Sequence, residues 1–108
     1  MKSSLSKLQA ILAYLHQLDP EFTMPNLSTF LTVAENDGIT MDKLADAAGY
    51  GRSSATRNIF VLSKFGEGKR AGMNLVYQDF MGEDRRQKTV HLTEKGKKVL
   101  LTINQLLA

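Results

Sequence analysis

Cysteine is absent from this chain, which excludes disulfides, thiolate metal sites and thiol-based redox sensing. The absence fits a reducing compartment, and a cytoplasmic location is expected. Tryptophan is also missing, and histidine occurs twice, as His16 and His91. Neither histidine has a carboxylate or cysteine at ligand spacing, and no glycine-rich phosphate loop or nucleophile motif accompanies them. Without an assembled constellation of acid, base and nucleophile, no enzymatic activity, metal or cofactor is expected. Long apolar runs are lacking too. The N-terminal MKSSLSKLQAILAYLHQLDP interrupts its apolar positions with Ser, Lys, Gln and His, so it reads neither as a signal-peptide core nor as a membrane span.

What remains is the composition of one globular domain over 1–108, 43% hydrophobic and 23% charged. The net charge of +3 is small, but its distribution is uneven. Between 19 and 46, Asp19, Glu21, Glu35, Asp37, Asp42 and Asp46 stand against Lys43 alone. Between 52 and 70 the balance reverses, with Arg52, Arg57, Lys64, Lys69 and Arg70 against Glu67. From 79 to 98 bases again outnumber acids. A basic stretch of this kind is the electrostatic footprint of phosphate recognition, although clustered charge also occurs on plain solvated surfaces.

The basic stretch opens inside ITMDKLADAAGYGRSSATRNIFVL (39–62), which reads as helix, glycine-marked turn and second helix. Thr40 is a candidate N-cap, and Met41, Leu44, Ala45 and Ala48 form a narrow inner face. Gly49 is placed to stop that helix. In the second helix, expected over 52–65, Ala55, Ile59 and Leu62 repeat as a core stripe. Its front carries Arg52, Ser53, Thr56 and Arg57, the residue types that a DNA major groove accepts. The reading is a helix-turn-helix over 39–65.

The flanks complete a small architecture. Leu5, Leu8, Ile11, Leu12, Leu15 and Leu18 repeat every three or four residues, predicting a helix over 3–18 that Pro20 closes. Thr23 with Pro25 marks another helix start, and Leu27, Phe30, Leu31 and Ala34 carry that helix to about Glu35. A one- or two-residue strand is expected within 38–40. Residues 63–74 hold three glycines and three bases and read as a loop. Strands are expected over 75–80 and 88–92, with Val90 and Leu92 inward, joined by a polar turn over 81–87. Together, 75–92 make a wing. Thr93 caps a final helix over 94–107, striped by Val99, Leu100, Ile103, Leu106 and Leu107.

The expected class is therefore mainly α (α+β): a winged helix-turn-helix with a three-stranded wing sheet and flanking terminal helices. Taken alone, the 3–18 stripe fits a core helix or a dimerisation helix equally well. With a matching stripe at the C-terminus, pairing across a two-fold axis becomes the favoured reading. The expected interface comprises Leu5, Leu8, Leu12, Leu15, Ile103, Leu106 and Leu107.

The segment LVYQDFMGEDRRQKTVHLTEKG (75–96) resembles the wing of the MarR family of bacterial transcription regulators. Asp84, Arg86, Val90, Leu92, Thr93 and Gly96 stand in register with that family's wing pattern. Leu44-Ala45 and SSATR (53–57) resemble its helix-turn-helix, and 23–35 resembles the helix before it, so the likeness covers about 23–98. The chain departs from the family in the 63–74 insertion, in Tyr77 where a base usually follows Leu-Val, and in short flanking helices. This compact form resembles small members carried by phage or mobile elements.

The resemblance implies a homodimer that binds double-stranded DNA and regulates transcription, as a repressor. It also implies that Arg86 enters a minor groove with Asp84 orienting it; the alternative is a surface ion pair between the two. Arg85 and Lys88 would take phosphates, and Lys64, Lys69 and Arg70 add positive charge beside them. Arg52 and Arg57 suit either guanine edges or phosphates. Ser53, Ser54 and Thr56 suit phosphates or base edges, with capping or solvent contact as the alternative. No sequence feature supports a small-molecule effector. A competing reading uses the same scaffold to grip a polymerase, a replication protein or a host regulator.

Overall fold

The computed structural model describes residues 3–66, 71–81 and 84–108, with the backbone alone for residues 80, 81 and 84–87. The chain runs α1 (Ser4–Leu18), α2 (Met24–Glu35), β1 (Ile39–Thr40), α3 (Met41–Ala48), α4 (Arg52–Leu62), β2 (Val76–Met81), β3 (Asp84–Leu92) and α5 (Glu94–Leu107). The three strands form one antiparallel sheet in the order β1-β3-β2. No described helix is long and apolar enough to cross a membrane.

Helix starts follow local chemistry. Thr23 accepts from the Asn26 backbone N–H while the Asn26 side chain accepts from that of Thr23, a reciprocal capping box. Thr40 and Thr93 cap α3 and α5 in the expected way, and Ser3 caps α1. Gly49 ends α3 in the left-handed region at φ 78°.

One core joins the elements. Phe30 and Val33 of α2, Leu44 of α3, Ile59 and Leu62 of α4, and Leu75, Val76 and Val90 of the wing base are fully buried together. Ile11 and Leu15 of α1 meet this cluster alongside Val99 and Ile103 of α5. The α5 start is pressed onto the wing base at Gly96. A Cβ there would stand 2.1 Å from the Leu75 carbonyl oxygen, so the fourth residue of the Thr93-to-Gly96 turn has to lack a side chain. Thr93 ties the same junction, donating its hydroxyl to the Asn74 carbonyl and its N–H to that of Leu75.

Two expected boundaries move. Helix α4 ends at Leu62 rather than at 65, because its last carbonyls are taken by the returning chain. Met73 N–H donates to Val61, Leu75 N–H to Leu62 and Asn74 N–H to Ser63, while Ser63 turns extended (ψ 178°). The segment expected as a loop over 63–74 is thus fastened at both ends, with Ser63 and Met73 buried. Secondly, the turn expected over 81–87 is shorter. The ladder runs on, pairing Phe80 with Lys88 and Met81 with Asp84 across a register break between Phe80 and Met81. A ladder requires backbone groups only, so the polarity of residues 84–87 did not end it.

Candidate nucleic-acid interface

Helix α4 is held from behind and presented at the front. Ala55, Ile59 and Leu62 are fully buried, fixing its rotation against the core. On the outer face Arg52, Ser53, Ser54 and Arg57 are exposed and Thr56 is half-buried. Buried Asn26 reaches across from α2, its Nδ2 donating to Asn58 Oδ1 at 2.6 Å, and Asn58 Nδ2 donates to the Ser54 carbonyl at 2.8 Å. The Thr29 and Tyr50 hydroxyls bond to each other, pinning the α3–α4 turn onto α2. Among the described helices α4 alone has no side-chain N-cap, since Gly51 occupies that position. Its first N–H groups are therefore open to an anion.

Sequence spacing did not reveal four participants. Asp42, in the first turn of α3, lies 2.5 Å from the guanidinium of Arg52. Phe60 is 41% exposed, three residues after Arg57 and four after Thr56, so it continues the outer stripe. The Asn26–Asn58 bridge joins residues far apart in the chain. The only advance signal was helical periodicity, which places Phe60 off the Ala55–Ile59–Leu62 stripe.

Other expected site residues divide into groups. Lys64 lies past the end of α4, with its Nζ 5.4 Å from the Phe65 ring centroid, and so does not extend the helical stripe. Lys88 is exposed on β3. Lys69 and Arg70 lie outside the described residues, as do the side chains of Asp84, Arg85 and Arg86, whose backbone belongs to β3. At the wing base His91 stacks on Tyr77 with ring centroids 5.0 Å apart. The histidine is not alone, as its spacing suggested. Asp37 lies 3.7 Å from its Nδ1 and accepts from the Leu92 N–H, and Thr89 Oγ1 is 2.8 Å from its Nε2.

The expected interface stripe also splits. Leu15 (2% exposed) and Ile103 are used inside the core, and Leu106 is partly buried against it. Leu5, Leu8, Leu12 and Leu107 are exposed, and Leu101 of α5 joins them. Lys7 of α1 donates to the Leu107 carbonyl, holding the two helices side by side.

No family model matches the sequence, and no curated protein matches it. Solved structures do match. A Staphylococcus aureus MepR–DNA complex aligns at TM-score 0.72 with 20% identity, over 94% of this chain and 73% of that one. MarR aligns at 0.64 with 17% identity, over 96% and 75%. A MarR transcriptional regulator from Methanosarcina mazei aligns at 0.66 with 21% identity, over 92% and 70%. The fold is the MarR-type winged helix. Within the MarR-type frame α3 and α4 are the helix-turn-helix, β2 and β3 the wing, and α1 and α5 the terminal helices.

Proposed function

We propose that the chain is a homodimeric transcription regulator that binds double-stranded DNA in a sequence-specific way and acts as a repressor. One observation carries the reading: α4 offers a polar, basic outer face on a buried stripe, with an uncapped N-terminus beside it. An α-helix of this kind fits the major groove, where arginine pairs with guanine and hydroxyls meet phosphates or base edges. The wing lies next to α4 in the chain, and Arg86 near its tip is assigned to the adjacent minor groove, whose negative potential favours a weakly hydrated guanidinium. The exposed Leu5, Leu8, Leu12 and Leu107 are the apolar side chains through which a second copy would set the spacing of two α4 helices.

The test is selection of bound duplexes from a random pool, followed by titration of the enriched site. Enrichment of a palindrome with half-sites about one helical turn apart is the expected result. Binding to no duplex at low salt would overturn the DNA reading and favour a protein partner for the same scaffold.

A further inference from the structure

The pair between Asp42 and Arg52 is placed oddly for a stabilising contact. It joins the first turn of α3 to the first residue of α4 at 2.5 Å, yet the two side chains are 61% and 55% exposed. Ion pairs this open to solvent contribute little to folding. Its position is the informative part. Arg52 sits at the uncapped start of α4, where outward N–H groups and the helix dipole already favour an anion. An unrestrained arginine there would fold onto the nearest phosphate, a contact that every DNA sequence offers equally.

Building on the DNA reading above, we propose that Asp42 is a specificity-determining positioning residue that turns Arg52 from phosphate binding to the edge of a guanine. Guanidinium carries five N–H donors in a rigid fork. The contact with Asp42 takes one edge through Nη1 and leaves the other edges to address paired acceptors. Guanine presents such a pair, O6 and N7, in the major groove. The carboxylate also orders a flexible side chain before binding, and its negative charge repels phosphate at the spot where α4 would otherwise attract it. Both effects lower affinity for arbitrary DNA more than affinity for the right site.

Asp46 provides the internal control. It is exposed on the same helix, one turn further along, so Asp46→Asn removes the same formal charge. The measurement is the dissociation constant, against potassium chloride concentration, for a duplex selected from a random pool and for a shuffled duplex of equal composition. Asp42→Asn is expected to bind the shuffled duplex several-fold more tightly and to lower the selected-to-shuffled ratio by about tenfold, the worth of one bidentate base contact. Its salt slope on shuffled DNA should steepen by about one, as Arg52 gains a phosphate. Arg52→Lys keeps the charge but lacks the fork, and should lose the ratio similarly. An unchanged ratio in Asp42→Asn, or an equal fall in Asp46→Asn, overturns the proposal. The wild-type titration separates the two layers: no binding to any duplex overturns the DNA reading and this proposal with it, whereas normal binding with an unchanged Asp42→Asn ratio overturns this proposal alone.

Discussion

The side-chain amide of Asn26 meets that of Asn58 at 2.6 Å, and through it the capping box of α2 is wired to α4. Each amide has a second commitment, Asn26 to the Thr23 N–H and Asn58 to the Ser54 carbonyl. Asn26→Ala removes a cap partner and leaves the Asn58 carbonyl without its donor. The expected loss is about 2 kcal/mol, the scale of a buried polar group stripped of its partner. Asn58→Ala should cost less, about 1 kcal/mol, because Asn26 keeps its capping role. Urea denaturation of the two variants checks the order, and equal costs would mean that the bridge matters and the cap does not.

Gly96 predicts a packing failure. Its substitution by alanine drives a Cβ into the Leu75 carbonyl, a backbone atom with no room to yield. Overpacking of this kind costs about 1–3 kcal/mol. For a domain of this size, that lowers the melting temperature by roughly 4 °C or more. Gly72→Ala should behave likewise, since a Cβ there would lie 1.9 Å from the Ser63 carbonyl oxygen. Thermal unfolding followed by circular dichroism reads both. A melting temperature equal to wild type in either variant would show that the close approach relaxes without cost.

The exposed apolar residues of α1 predict the assembly state. Leu8 and Leu12 are 52% and 44% exposed, so replacing both with glutamate leaves the core intact. On the proposed homodimer, the wild type is expected to sediment as a dimer and the double variant as a folded monomer, burying carboxylates in an apolar contact being strongly unfavourable. It should also lose most affinity for a full palindrome while keeping that for a half-site. A double variant that still dimerises would remove α1 from the interface.

DNA affinity is expected to respond to Arg57 and Arg86 in different ways. Arg57→Ala should weaken binding about tenfold at low salt. If the lost contact is to phosphate, the salt slope falls by about one and the deficit shrinks as salt rises. If it is to a base, the slope is kept and discrimination falls at one position of the site. Arg86→Ala should weaken sites flanked by narrow, A·T-rich minor grooves more than others. Anisotropy titrations at two salt concentrations on two flanking sequences distinguish these outcomes, and no change from either substitution would mean that the binding face is elsewhere.

Local chemistry was readable from the sequence, whereas meetings between distant segments were not. Thr23, Thr40 and Thr93 announce helix starts because a cap is settled within four residues. Ala55, Ile59 and Leu62 announce a buried stripe because helical periodicity is also local. The end of α4 could not be seen, since it depends on N–H groups from residues 73–75 arriving at the carbonyls of Val61, Leu62 and Ser63. Leu12 and Leu15 look alike on a helical wheel. Only the arrival of α5 and the wider core decides that Leu15 is buried and Leu12 is not. Asp42 carried no signal toward Arg52 beyond lying on the preceding helix.

The three backbone bonds that fasten residues 73–75 to the end of α4 have a mechanical consequence. They set the gauge between α4 and the wing through peptide groups, which every residue except proline can supply. Two described side chains of the stretch also contribute, Met73 in the core and Ser63 through its bond to the Phe60 carbonyl, as does the space demanded at Gly72. Exposed Lys64 stands outside those bonds, so its exchange leaves the helix-to-wing calliper at one width.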